Sequence, residues 1–427
     1  MDIASIHKLF LKCNSVAIDT RKIVPNALFI ALKGENFDAN TFALEALNRG
    51  ASYVIIDNEN YYIDSRTIVV QDSLIALQDL ARFHRKYLNL PILALTGSNG
   101  KTTTKELIHV VLSKKYSTKA TLGNLNNHIG VPLTLLSFNS ATEIGIVEMG
   151  ANHKKEIAFL CEIANPDYGY ITNFGKAHLE GFGGVVGVIE GKSEMYQNIQ
   201  ANQKIAFINA NDPIQVEKSK GLNTYSFGIH PSKVDVSISA IEANPFVSIK
   251  YHDFQIKTHL IGFYNANNVN AALAIGKYFE VEDQDIKDAL ESYIPENNRS
   301  QLISKGTNQI ILDAYNANPS SMIVAIDNFM QLNQTNKIMI LGDMFELGSE
   351  SYQEHKAIVD LLIQSNQSVC YLVGREFFAI KIDHVRLIFH ENFESLSKEL
   401  ERLHIQNSSL LIKGSRGMAL ERVLDYL

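Results

Sequence analysis

The chain has 427 residues, 46% apolar and 20% charged, an ordinary globular composition that excludes a disordered or fibrous protein. A net charge of −7 argues against a nucleic-acid or anionic-membrane surface as the main partner, while leaving room for a local basic pocket for phosphates. The N-terminal stretch has no long apolar core, and no apolar run approaches the roughly 20 residues of a bilayer span. The reading is therefore a cytoplasmic protein without membrane insertion, for which Cys13, Cys161 and Cys370, far apart and odd in number, fit a reducing compartment.

The length allows roughly two to four domains. Residues 1–89 read as a small mixed α/β domain, with strands over 27–32, 53–56 and 67–70 and helices over 41–48 and 73–87. Pro91 disfavours helix at the residue before it, which sets the first boundary. Residues 90–297 alternate strand and helix: strands over 92–95, 144–147 and 168–172, hairpin material over 234–261, and a helix over 265–279. A linker is expected at 295–298. Residues 298–427 alternate regularly, with strands over 310–312, 338–341, 370–373, 385–389 and 410–412 and helices over 320–331, 352–364 and 393–403. Such alternation implies parallel sheets covered on both faces, so the fold class is α/β with three domains.

The segment ILALTGSNGKTTTK carries the most specific chemistry. An apolar strand runs into a loop with Gly97 and Gly100, and a helix starts at Lys101. Glycines bring backbone N–H groups close to an anion, and the helix N-terminus adds a favourable dipole. Lys101 would reach the outer phosphates and the Thr102 hydroxyl would ligate magnesium. The strict phosphate-loop pattern wants a glycine where Leu95 stands. Gly97, Ser98, Asn99, Gly100, Lys101, Thr102 and Thr103 are the candidate nucleotide contacts.

Glu148 ends a buried-type strand, either as a solvated carboxylate or as the acidic group that such folds deliver to magnesium. His178, in NFGKAHLEGFGG past another strand end, is a structural histidine or a metal ligand. Lys192 lies on a helix, where a lysine is ordinarily a surface charge. Asparagine-rich patches at 123–130, 264–270 and 315–319 suit amide, sugar and base recognition, and asparagine is also a turn former. KGSRG, at 413–417, is an anion-site candidate or a plain loop.

These motifs resemble, in order and over the whole chain, those of the Mur ligase family. The family uses a GxxGKT loop, which accounts for Leu95, and VEMGAN, ITNFGKAHLEGFGG and GFYNANNVNAALA follow as they do there. DAYNANPSSM and LGDMFELGSESYQEH resemble the branch that adds the last amino acids, and AIDTRKIVPNALFIALKGENFDAN resembles its UDP-sugar-binding start. Thr20, Ala39, Asn40 and Tyr264 depart from the family's usual residues.

The resemblance implies a UDP-binding N-terminal domain, a central ATPase-like domain and a Rossmann-like, doubly wound C-terminal domain. It implies a monomeric, ATP- and magnesium-dependent ligase in peptidoglycan synthesis. The carboxylate of UDP-N-acetylmuramoyl-tripeptide would be activated as an acyl phosphate and captured by the amine of D-alanyl-D-alanine. It further implies magnesium on Thr102 and Glu148, a second magnesium with His178, and a carbamylated Lys192. Asn265 and Asn268 would lie on the adenine side, with Arg299 and Asp313 near ribose and phosphates. Thr20, Arg21 and Lys33 would meet the UDP end, and Asn126 and Asn127 the sugar-peptide. Tyr315, Asn316, Asn318 and Asp343 would line the dipeptide site, with Lys413 and Arg416 as carboxylate anchors. The alternatives are a sister ligase, a folylpolyglutamate synthase-like ligase, or a nucleotide-dependent switch that makes no bond.

Overall fold

The strand Ala27–Ile30 is buried along its whole length, as a parallel sheet with both faces covered requires. It pairs with Ser15–Ala17 on one side and Ala51–Ile56 on the other, and Thr67–Val69 completes a four-stranded parallel sheet. The computed structural model describes residues 1–229, 233–296, 298–334, 336–365 and 368–427. The helix expected over 41–48 divides into a 3-10 turn, Ala39–Phe42, and an α-helix, Ala43–Asn48, because the Asp38 carboxylate accepts the Asn40 N–H and starts the tighter turn early. Helix Ser73–Leu88 begins where Asp72 accepts the Ile75 N–H and ends at Asn89 in the left-handed conformation.

The second sheet has seven parallel strands in the order Val236–Ile238, Asn223–Ile229, Ile205–Asn209, Tyr168–Ile171, Ile92–Thr96, Ile144–Glu148 and Thr118–Ala120. Only part of the expected hairpin region is a hairpin structure. Ala240–Ala243, Phe246–Tyr251 and Phe254–Ile261 form a three-stranded antiparallel sheet, while Val236–Ile238 joins the large sheet beside Phe227. Alternating apolar residues serve either sheet equally well, so the pattern alone does not assign the strand.

The third sheet runs Gln301–Lys305, Asn308–Asp313, Ser409–Lys413, Lys337–Gly342, Val369–Val373 and Leu387–His390, parallel except for the antiparallel edge strand Gln301–Lys305. That edge strand was not expected. The strand expected over 385–389 starts later, and Val385 is exposed. Alternate residues feed two cores: Ile311, Met339 and Leu411 on one face, and Ile310, Ile340 and Leu410 on the other. Helices therefore cover both faces, the doubly wound arrangement. The boundary expected at 297 lies outside the described residues.

Register decides what meets at the strand ends. Leu95 pairs with Glu148, Ile171 with Thr96, and Asp313 with Lys413, so the loops beyond these residues share the carboxyl edges of their sheets.

Candidate active site

The loop between strand Ile92–Thr96 and helix Lys101–Leu112 is held from behind. Gly97 has φ +143°, and a Cβ there would lie 2.0 Å from Thr172 Oγ1. Gly100 has φ +77°, and its Cβ would lie 2.6 Å from Asn268 Oδ1. Only glycine fits both positions. The Ser98 hydroxyl donates to the Gly175 carbonyl at 2.8 Å, and the Asn99 N–H donates to Asn173 Oδ1 at 3.0 Å. No side chain caps the first turn of the helix, so its amides remain available to an anion. Lys101 bends back over the loop and donates to the Gly97 carbonyl at 2.7 Å and to Ser98 at 3.3 Å. Burial lowers its pKa, Glu148 acting upward and Arg299 downward.

Glu148 is only 1% exposed. Its Oε1 accepts from Asn126 Nδ2 at 2.7 Å, while its Oε2 has no hydrogen-bond partner among the described residues. The cation beside that oxygen is Lys105 Nζ, 4.0 Å away on a side chain 3% exposed. A buried carboxylate oxygen left unpaired is costly, and a divalent cation shared with the Thr102 hydroxyl would satisfy it. Among the described residues no three His, Cys, Asp or Glu side chains gather into a metal cluster. Such a site suits magnesium, which takes few protein carboxylates and relies on phosphate oxygens and water. His178 has φ +54°, and its Nδ1 is hydrogen-bonded to the Glu346 carboxylate of the third sheet's loops.

These groups line one cavity of about 750 Å³. One wall carries Ser98, Asn99, Gly100, Lys101, Thr102, Thr103, Asn126, Asn127, Glu148, His178, Asn265 and Asn268, and the other Arg299, Asp313, Tyr315, Asn316, Asn318 and Lys413. Asn268 Nδ2 donates to Asn265 Oδ1 at 2.8 Å, and Thr104 Oγ1 donates to Asn268 Oδ1 at 3.0 Å, which locks helix Tyr264–Tyr278 to the phosphate-loop helix. The Arg299 guanidinium lies 3.6 Å from the Tyr315 ring centroid, a cation–π stack. Asn127 Oδ1 accepts the Gly130 N–H at 2.9 Å, where helix Gly130–Ser137 begins. Asn318 caps helix Pro319–Gln331 and also donates to Asn99 Oδ1 at 2.7 Å, a direct link between the two walls.

Several expected contacts prove to be spoken for. Lys413 lines the cavity, but it is buried and paired with Asp313 at 2.6 Å, so its charge already has a partner within the protein. Arg416 is exposed and outside the cavity wall, 5.6 Å from the Tyr315 ring. Asp343 lies outside the wall as well: its carboxylate accepts the Glu376 and Phe377 N–H groups at 3.0 Å each, anchoring helix Arg375–Ala379. Burial raises its pKa and those amides oppose the rise. His355, 3.8 Å from Asp343, hydrogen-bonds through Nδ1 to the Ser351 carbonyl and accepts at Nε2 from the Met344 N–H, the pattern of a neutral ring.

Lys192 is no surface charge. It is 1% exposed, donates to the Ala151 carbonyl at 3.1 Å and lies 5.1 Å from the Phe182 ring centroid. Burial pushes its pKa well below the usual lysine value, Lys101 adds to this, and Glu156 and Glu194 oppose it. Gly191 lets Phe182 pack against the helix, since a Cβ there would lie 2.5 Å from that ring.

A second cavity of about 590 Å³ lies in the N-terminal unit, lined by Asp19, Thr20, Arg21, Phe37 and Phe42 among others. Arg21 is exposed and pairs with Asp19 at 2.8 Å. Lys33 is outside this lining and pairs with Asp57 at 2.8 Å. Lys105, Asn173 and Glu346 were not singled out from sequence. Of these only Lys105 carried a signal, four residues after Lys101 and therefore on the same helix face.

Three family descriptions match in succession: "Mur ligase family, catalytic domain" over 12–85, "Mur ligase middle domain" over 95–276 and "Mur ligase, glutamate ligase domain" over 298–416. The chain is 34% identical to the UDP-N-acetylmuramoyl-tripeptide–D-alanyl-D-alanine ligase of Bacillus subtilis, over 97% of this chain and 93% of the relative. It is 32% identical to the ligase of that name from Escherichia coli, over 97% and 93%. Among solved structures, MurF from Acinetobacter baumannii superposes with a TM-score of 0.87 at 30% identity, covering 99% of this chain and 97% of that one. MurF ligase from Thermotoga maritima in complex with ADP gives 0.84 at 28% identity, covering 98% and 97%. With a phosphate loop and an unpaired buried carboxylate facing the third sheet across one cavity, and relatives of this kind along its full length, the chain belongs to the Mur ligase family, in the branch of the UDP-N-acetylmuramoyl-tripeptide–D-alanyl-D-alanine ligases.

Proposed function

We propose that this chain is an ATP-dependent, ADP-forming ligase that joins D-alanyl-D-alanine to UDP-N-acetylmuramoyl-tripeptide, as a cytoplasmic monomer, to give the pentapeptide precursor of peptidoglycan. The observation that carries the reading is the single cavity whose one wall is the phosphate loop with Glu148 and whose other wall is Arg299, Tyr315 and Asn318. Such a cavity can hold a nucleotide and a second reactant together. We divide the chain into residues 1–89 for the UDP end, 90–297 for ATP and 298–427 for the dipeptide together with further ATP contacts.

In this reading the tripeptide carboxylate attacks the γ-phosphorus of ATP, ADP leaves, and the dipeptide amine attacks the acyl phosphate, releasing phosphate. The protein must hold two anions at reacting distance. Lys101 would exchange its carbonyl partners in the loop for phosphate oxygens, and the uncapped helix amides would take the rest. Magnesium held by Thr102 and Glu148 would supply charge neutralisation at the phosphates. Asn265 and Asn268 would border the adenine, and Arg299 and Asp313 the ribose and phosphates. Asn126 and Asn127 would border the sugar-peptide, Thr20 and Arg21 the uridine end, and Tyr315, Asn316 and Asn318 the dipeptide.

Lys192 is proposed to work as a carbamate. Its burial and the nearby Lys101 favour the neutral amine, the form that adds to carbon dioxide with loss of one proton. The product is an anion, a better neighbour for a metal than an ammonium ion. Carbon-13 NMR in labelled bicarbonate would show a carbamate signal, absent from Lys192→Ala.

The test of the whole reading is phosphate release with ATP and purified substrates. It should require both the tripeptide nucleotide and D-alanyl-D-alanine. Basal hydrolysis that neither substrate stimulates would favour a nucleotide switch instead.

A further inference from the structure

The segment LGDMFELG leaves one residue without a part in the scheme above. Its backbone is pinned at successive positions. Asp343 anchors helix Arg375–Ala379, the Met344 N–H donates to His355, and the Phe345 N–H donates to Ser415 Oγ at 2.8 Å. The chain then turns at Glu346 with φ +62°, a conformation that a non-glycine residue adopts only when its surroundings impose it. Across the gap between sheets the partner His178 is also left-handed, and the two side chains are hydrogen-bonded through Nδ1. The Glu346 carbonyl also accepts the Glu180 N–H at 3.3 Å. Two residues in the left-handed conformation, His178 on the cavity wall and Glu346 in the loops of the third sheet outside that lining, therefore meet at one bond.

A carboxylate only accepts hydrogen bonds, so this contact places a proton on Nδ1, and Nε2 is then the nitrogen whose lone pair a cation could take. We infer that Glu346 is a positioning residue that fixes His178 in the tautomer able to bind a cation at the phosphate end of the cavity. The inference rests on the reading of His178 as a metal ligand. Glu346 acts on the cation only through His178.

The experiment compares Glu346→Ala, Glu346→Gln, His178→Ala and the double alanine variant in the full chain. Two quantities are measured: the magnesium concentration that half-saturates binding of a non-hydrolysable ATP analogue with the tripeptide nucleotide, followed by calorimetry, and the nitrogen-15 shifts of His178. Glu346→Ala should raise the magnesium midpoint by about tenfold, the usual lower bound for losing such an outer partner. It should also shift His178 toward the Nε2–H form. The amide oxygen of Glu346→Gln should still accept from Nδ1 and recover most of the affinity. The double variant should be no worse than His178→Ala. If His178→Ala leaves the midpoint unmoved, the metal-ligand reading fails. If His178→Ala moves it and Glu346→Ala does not, or if His178 carries protons on both nitrogens in the liganded parent, the positioning role is overturned.

Discussion

Replacing Glu148 by glutamine separates the two demands made on this residue. In the folded protein one carboxylate oxygen is bonded to Asn126 and the other has no hydrogen-bond partner among the described residues, with Lys105 Nζ 4.0 Å from it. Glutamine leaves a polar atom at the unpartnered position, so removing the charge only lowers the cost of keeping it from water, a gain of about 1–3 kcal/mol. It also removes an attraction to Lys105 of about 4 kcal/mol at an effective dielectric of about 20. The second effect is the larger, so the ligand-free variant should be destabilised slightly, by about 1–3 kcal/mol, and its thermal midpoint should fall. The catalytic loss should be far larger. A magnesium contact at the transferred phosphoryl group carries several kcal/mol, so turnover should fall by about three orders of magnitude or more. The assay is coupled ADP release with both substrates, run beside a thermal-shift measurement without ligand. Turnover within about tenfold of the parent, only about 1.4 kcal/mol of barrier, would falsify the metal role. A raised thermal midpoint would refute the part assigned to Lys105.

Three further outcomes are expected. Lys101→Ala should lower turnover by several orders of magnitude with the fold intact by circular dichroism, since in the proposed site its ammonium would face the phosphates; near-parent activity would remove it from the site. Gly100→Ala should lose nucleotide affinity and stability by about 1–2 kcal/mol from the left-handed backbone alone, with more from the contact with Asn268; calorimetry showing parent-like ATP binding would contradict the tight approach. The buried pair His7 and His84, 3.0 Å apart and bonded on to the Phe138 carbonyl, should make the fold acid-sensitive. Burial, with a smaller contribution from His84, depresses the His7 pKa from 6.5 to about 4, so the unfolded chain binds more protons in that window. Its stabilising effect is complete above pH 6.5 and is lost as pH falls toward 4, by roughly 3 kcal/mol at most. Denaturant unfolding should show a shallower pH slope for His7→Gln than for the parent, and equal slopes would refute the assignment.

Local order was legible in the residues themselves. Strand, glycine loop and Gly-Lys-Thr at a helix start form a contiguous unit whose backbone demands are met within a dozen residues, so Ile92–Thr96 and Lys101–Leu112 could be placed from sequence. The regular strand–helix alternation likewise implied the doubly wound third sheet, because covering both faces of a parallel sheet requires apolar residues in each strand and each helix. What depended on contacts across long separations was not legible. Val236–Ile238 takes its sheet from Phe227, and Lys413 loses its free charge to Asp313, 100 residues away in sequence. Lys192 reads as a surface lysine until Phe182 and Ala151 enclose it, Asp343 is consumed by the amides of Glu376 and Phe377, and Glu346 finds His178 only across 168 residues of sequence. A residue type and its spacing state which bonds a side chain can make. Which partner takes that capacity, and whether water is left beside it, is decided when distant segments pack, because burial and pairing belong to the assembled surroundings and not to the segment.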